Sequence, residues 1–368
     1  MNKLVISNLV HRPIRSLISI VAIAIEVILI LLIVGLSLGM LNDAAERQKG
    51  VGADIMLLPP NASQFSAMNG APMPVKIGDV VAKLPHVVAV SPVVSQMSTA
   101  GAFEAITGVD LDSYNRLGAP FRYIEGGPFD GPDQVLVDEL ISKQNNIHAG
   151  DTITVLNHPV KVAGVVAQGK GGRKFLPIAT MQNWMAAQGK ASTIYIKVDD
   201  ADKNTQTVVD EIHNYPGLQG YTARPMADYL AMMTANNIPA LNTFIKVVIG
   251  IAVIIGFIVI FQAMYTAVME RTREIGILKS LGATKLYIVA AILRETMLLA
   301  IVGITVGIGV SYAARAGLKA KFPLLPIQIT TEWLVLGTVI AIVGAILGAL
   351  YPAFKAAQKD PIDALAYE

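Results

Sequence analysis

Four apolar stretches, each long enough to cross a bilayer, constrain this chain more than any other feature. A spanning helix needs about 20 predominantly apolar residues, and such runs occupy residues 17–40, 244–269, 293–314 and 333–354. The first carries a single charge, Glu26. The long stretch between the first two runs is of ordinary globular composition. The chain is 53% hydrophobic and 15% charged, too apolar for one soluble domain and too polar for a bundle confined to lipid. A membrane protein with a large aqueous portion satisfies both limits. The first run follows Arg12 and Arg15 as a signal peptide would, but it exceeds the ~7–15 residues of a signal core. An uncleaved anchor is therefore expected.

The basic residues near the ends of the runs set orientation. Lys3, Arg12 and Arg15 precede the first run, while Arg271, Arg273, Lys279, Lys285 and Arg294 separate the second from the third. Lys355 and Lys359 follow the fourth, against Arg315, Lys319 and Lys321 on the opposing loop. Both termini and the 270–292 segment are thus expected in the cytoplasm, with 41–243 outside. The formal net charge of +2 says nothing about nucleic acid, and the basic residues are spread without a dense patch, so no nucleic-acid partner is expected. Cysteine is absent, so disulfides and thiolate metal sites are excluded.

The outer stretch reads as a folded α+β domain. Strand patterns cover 53–58, 87–94, 103–109, 134–137, 152–156, 160–166 and 193–198, and helical patterns cover 139–145, 180–188 and 203–214. Asn157-His158-Pro159 marks a hairpin. From Met226 a helical stalk is expected to lead into the membrane, with Pro239 as a kink or break.

Residues 270–289, ERTREIGILKSLGATKLYIV, place charges, a Gly-Ala break and a second helix start between two apolar runs. The pattern predicts a short helix over 270–280 with Ile275, Leu278 and Leu281 on one face. Gly282 suits a left-handed C-terminal cap and Thr284 an N-cap for the next helix. Such an elbow fits two roles: docking into a groove on a partner, or lying in the membrane interface against lipid headgroups.

The stretch MERTREIGILKSLGATKLYIVAAILRE resembles the cytoplasmic coupling segment of the FtsX/MacB-like permeases, the type VII ABC transporter superfamily. The C-terminal YPAFKAAQKDPIDALAYE and the outer stretch VLVDELISKQNNIHAGDTITVLNHPVKVAGVV resemble the same family, as does the order of one span, a large outer domain and three spans. The resemblance implies a membrane α-helical fold with four transmembrane helices and a large extracytoplasmic α+β domain inserted between helices 1 and 2. It maps 1–16 as a cytoplasmic amphipathic helix (with 4–17 as its amphipathic face) and 17–40 as the first span. Residues 41–243 become the periplasmic domain with its stalk, 244–269 the second span and 270–292 the coupling helix. Residues 293–314 form the third span, 315–332 a short outer loop, 333–354 the fourth span and 355–368 a cytoplasmic tail. It further implies an inner-membrane permease subunit that forms a homodimer and docks a separate ABC ATPase. Arg273, Glu274, Ile275, Gly276, Leu278, Lys279, Leu281, Gly282 and Ala283 would form the docking elbow. ATP and Mg would be bound by that partner and no cofactor by this chain, with a periplasmic adaptor as a further partner and lipids around the spans.

A phosphate-cradling loop needs GxxxxGK[ST], and the Gly-rich 169–174 segment does not supply it. That segment is expected to be a mobile loop or an outer-partner contact, and the chain is expected not to hydrolyse ATP. Glu26 is the candidate functional residue inside the membrane, because a carboxylate in a span must avoid lipid; a structural role within the bundle or across a dimer interface is the alternative. Gln262 is expected to hydrogen-bond a neighbouring helix. Gly303 with Gly307, and Gly344 with Gly348, are small-xxx-small pairs expected to pack spans three and four closely or to join two copies. The histidines show no metal-ligand spacing, and no catalytic site is visible. Three functions remain open: export of an amphiphile or peptide, force transmission to a partner such as a cell-wall hydrolase, and lipoprotein release.

Overall fold

A computed structural model of the chain describes residues 13–60, 72–98 and 104–359. It divides into two compact units: Met1–Met40, Ile238–Ala320 and Leu325–Glu368 form one, and Leu41–Asn237 with Lys321–Leu324 the other. Most of the expected amphipathic helix at 1–16, and the tail beyond residue 359, lie outside the described residues.

The first unit is built on four helices long and apolar enough to cross a membrane: Pro13–Lys49, Pro239–Glu270, Lys285–Lys321 and Thr331–Gln358, called the first to fourth span helices. They run past the apolar stretches. Residues 315–321, expected in a loop, continue the third helix, because Ala316, Leu318, Lys319 and Ala320 are good helix formers. Pro323 then bars further extension. The expected stalk is interrupted: a helix Met226–Met232 ends, Ala235–Asn237 make a 3₁₀ turn, and a new helix starts at Pro239. Pro239 sits in the first turn, where its missing N–H costs nothing, so it opens the helix and does not kink it.

Ile23, Val27, Leu31, Ile260, Met264, Ala300, Ile304, Ala341 and Ala345 form the core of this unit. The small-residue pairs bring helices together, though not the third against the fourth. A Cβ at Gly303 would lie 2.8 Å from Ile23 Cβ, and one at Gly307 would lie 2.9 Å from the Ala24 carbonyl oxygen, so both glycines receive the first span helix. A Cβ at Gly348 would lie 3.0 Å from the Phe257 carbonyl oxygen, so the fourth helix packs on the second. Within lipid such close approach provides the dispersion contacts that replace a hydrophobic driving force.

The second unit is an α+β domain. Its strands are β1 (Ile55–Leu58), β2 (Met73–Pro74), β3 (Val87–Ser98), β4 (Glu104–Val109), β5 (Tyr123–Gly126) and β6 (Gln134–Asp138). There follow β7 (Thr152–Val155), β8 (His158–Val166), β9 (Lys174–Pro177), β10 (Lys190–Ala191), β11 (Thr193–Val198) and β12 (Thr222–Pro225). Ten of them join one sheet in the order β12-β1-β11-β3-β4-β9-β6-β8-β5, with β7 paired to β8. The pairs β4–β9 and β6–β8 are parallel. The connection from β6 to β8 runs through the helix Glu139–Asn145 and β7, as a parallel pair requires.

A buried charge network around Arg173 is paired at several points. Asp138 ends β6, accepts from the Leu140 and Ile141 N–H groups as an N-cap, and takes Arg173 Nη1 at 2.9 Å. Arg173 Nη2 reaches Asp43 at 2.7 Å, and Arg47 Nε reaches the same Asp43 oxygen at 3.1 Å. Burial raises the Asp138 carboxyl above its ordinary value, more than the Arg173 guanidinium and the capping N–H groups lower it. This network corrects the expectation of a mobile 169–174 loop. The Gly171 N–H donates to the Arg47 carbonyl at 2.8 Å, the Tyr114 hydroxyl donates to the Lys170 carbonyl at 2.8 Å, and the Lys170 ammonium meets the Ala119 carbonyl. Gly171, at φ 79°, supplies the left-handed turn these bonds need.

Candidate functional site

The segment between the second and third span helices folds as an elbow. Its first limb is the helix Thr272–Ser280, and its second is the start of the third span helix at Lys285. The turn is closed in both directions. The Ala283 N–H donates to the Leu278 carbonyl and the Gly282 N–H to the Lys279 carbonyl, each at 3.0 Å, the paired bonds of a Schellman cap. Gly282 holds φ 94°, a conformation a Cβ would strain. The Thr284 hydroxyl then accepts from the Tyr287 N–H at 3.2 Å, capping the next helix. A short helix so capped has little freedom to fray at its C-terminal end.

The two faces of this elbow differ. Thr272 and Gly276 are buried, and Ile275 and Ala283 pack against Val268, Ile288, Ala353 and Ala356 of the surrounding helices. Arg273, Glu274, Ile277, Leu278, Leu281 and Gly282 are exposed, joined by Leu286 on the second limb. Leu281 and Leu286 keep 81% and 76% of their surface uncovered, which for large apolar side chains leaves an unpaid cost in water. The nine residues singled out from sequence therefore divide. Arg273, Glu274, Leu278, Leu281 and Gly282 face outward, whereas Ile275, Gly276, Lys279 and Ala283 face the bundle. Ile275 does not share the Leu278–Leu281 face. Ile277 and Leu286 belong to the outward face and were not singled out; their signal was large apolar character beside Leu278 and Leu281.

Glu26 is the second candidate. It is 2% exposed, and neither carboxylate oxygen has a hydrogen-bond partner among the described residues. It occupies room left by two glycines: a Cβ at Gly256 on the second span helix would overlap its Oε2, and one at Gly344 on the fourth would lie 3.7 Å from its Oε1. Gln262, expected to bond across helices, is instead exposed and lines a cleft of about 640 Å³ with Pro13, Ile14, Ile18, Ile258 and Thr266. Among the described residues no group of three metal-ligating side chains comes together.

Four membrane-length helices, an α+β domain inserted after the first and a capped elbow before the third define a multi-pass membrane protein with a folded aqueous domain. Comparison with known families places it further. Residues 16–215, over half the chain, match the MacB-like periplasmic core domain, and residues 246–361 match the FtsX-like permease C-terminal model. The chain belongs to the MacB/FtsX type of ABC transporter permeases. It is 32% identical over 253 residues to the ABC transporter permease YknZ of Bacillus subtilis, covering 64% of this chain and 60% of that protein. It is 29% identical over 320 residues to the macrolide export ATP-binding/permease protein MacB of Escherichia coli, covering 80% of this chain and 49% of that one. The chain thus spans only half to three-fifths of the length of these relatives. Among solved structures, the periplasmic region of MacB from Actinobacillus actinomycetemcomitans aligns at TM-score 0.39 and 15% identity, over 50% of this chain and 94% of that one. The extracellular domain of YknZ aligns at 0.36 and 15%, over 46% and 98%.

Proposed function

We propose that the chain is an inner-membrane permease that couples ATP hydrolysis by a separate ABC ATPase to motion of the inserted domain. ATP and Mg are held by that ATPase, and two copies of the permease, with their termini in the cytoplasm, complete the transporter. Its task is export or extraction of an amphiphilic, lipid-like or peptide substrate, with a periplasmic adaptor as a further partner. The observation that carries this reading is the outward face of the elbow, an apolar patch of Ile277, Leu278, Leu281 and Leu286 beside Arg273 and Glu274, next to a turn closed by a Schellman cap. A rigid helical patch with a charged rim suits a groove on a soluble partner. That the MacB relative is named an ATP-binding/permease protein supports an ATPase as the partner. Leu278→Asp in the full-length protein should lower the amount of ABC ATPase co-purified from native membranes about tenfold, as expected for a central apolar anchor. Undiminished ATPase on a folded variant would contradict the assignment.

The geometry of Glu26 supports a second element of the same reading, a carboxyl that works during transport. Natural bundles satisfy or exclude such groups, and here two glycines make space for one that stays unpaired. Glu26→Gln should leave folding intact and change export; unaltered export and ATP turnover would reduce Glu26 to a packing residue.

A further inference from the structure

The elbow helix is fixed to its own bundle at both ends by charge. At its start, Arg271 Nη1 donates to the two Glu295 oxygens at 3.0 and 3.3 Å, and both side chains are nearly buried. Glu295 belongs to the third span helix. At its end, the Lys279 ammonium donates to the Ala357 carbonyl at 3.0 Å and to the Lys359 carbonyl. The Ala357 carbonyl lies in the last turn of the fourth span helix, which ends at Gln358, and the Lys359 carbonyl belongs to the residue just after it. A lysine there donates to helix-terminal carbonyls and meets the negative end of the helix dipole.

Neither contact belongs to the exposed face. Between them the inward side rests on Ala353, Ala356 and Ala357. Contact with such small side chains is non-directional and offers little resistance to sliding along the helix. Directional, charge-assisted hydrogen bonds at both ends do resist it. We infer that Arg271 and Lys279 are positioning residues that carry displacement of the elbow into the third and fourth spans, Arg271 through Glu295 and Lys279 through the terminal carbonyls. The inference rests on the ATPase-docking reading and moves Lys279 from the docking set to the transmission path. Without these pins an ATPase would still bind, but its closure would slide the elbow over the bundle.

The chain lacks cysteine, so the pins can be tested chemically on the full protein reconstituted with its ATPase in vesicles. Arg271→Met and Lys279→Met should keep ATPase affinity within about twofold of the parent while permease-stimulated ATP hydrolysis falls about tenfold, a usual coupling free energy between sites. Lys279→Arg should restore stimulation. Joining Arg271→Cys to Glu295→Cys with a short bifunctional thiol reagent should restore at least half of it, whereas a monofunctional thiol reagent should not. Affinity lost in step with stimulation would make these residues docking contacts and overturn the inference, as would stimulation left unchanged. A bridged cysteine pair that stays uncoupled would overturn it too, even if the methionine variants fail to fold. Failure of the parent itself to bind an ATPase would instead sink the docking reading, and the pins with it.

Discussion

Arg173 in the inserted domain and Glu26 in the membrane bundle are buried charges held in opposite ways. In the domain, Arg173 and Asp138 are buried together, both Asp138 oxygens and both Arg173 Nη atoms directed at partners, with Asp43 and Arg47 completing the set. In the bundle, Glu26 is equally buried and, among the described residues, unpaired, and the helices keep two glycines beside it. Isolation of an ionised carboxylate is far more costly than isolation of a neutral group. A paired network can persist for structural reasons alone. An unpaired carboxyl surrounded by made-to-fit space is harder to explain by stability, so it is the better functional candidate of the two.

Removing one charge from each region should have very different consequences. Arg173→Met leaves Asp138 buried without its partner and should destabilise the inserted domain by about 3–5 kcal/mol, the usual cost of breaking a buried pair. Denaturant unfolding of the full-length protein would show it as a lowered midpoint. Gly307→Leu should cost about 1–3 kcal/mol or more by overpacking the interface with the first span helix. Its signature is loss of the monodisperse species in detergent, with the inserted domain unaffected. Glu26→Gln should change stability by less than about 1 kcal/mol, since the amide also fits and no partner is lost. A cost comparable to that of Arg173→Met would mean Glu26 is paired in the working assembly and would erase the contrast.

The smallest effect concerns pH. Burial holds the Asp138 carboxyl above its ordinary value, so on acidification the folded domain binds that proton before the unfolded chain does. Stability contributed by this group is therefore fully present below the unfolded value and is lost as pH rises through the folded one. Asp138→Asn should remove this slope from a series of unfolding midpoints measured across the acidic range. An unchanged slope would place the titration elsewhere.

The features legible in the sequence were those fixed by local rules. Apolar run length located the span helices, and the Gly282-Ala283-Thr284 step gave the elbow its turn because only a few residue types cap helices in that way. Strands such as 193–198 were legible from their β-branched alternation. What stayed hidden depends on partners far along the chain. Gly303 and Gly307 announced close packing but not that the first helix would fill the space. Arg271 and Glu295 are 24 residues apart with the elbow turn between them, and nothing local joins them. The 169–174 segment looked mobile because its glycines are visible in the sequence while its bonds to Arg47, Tyr114 and Ala119 are not. On the elbow, Ile275 and Leu278 are three apart and suit one stripe, yet the alanine surface of the fourth helix selects Gly276 and Ala283 for the inside and turns Leu278 and Leu281 out.

The two faces of the elbow are separated by one paired measurement: the affinity of the ABC ATPase for the membrane-reconstituted protein carrying Leu281→Asp on the outward face or Lys279→Met on the inward one. Loss of affinity of about tenfold or more for Leu281→Asp, with Lys279→Met near the parent value, is the predicted result. Equal affinity for both variants, or a loss confined to Lys279→Met, would contradict it.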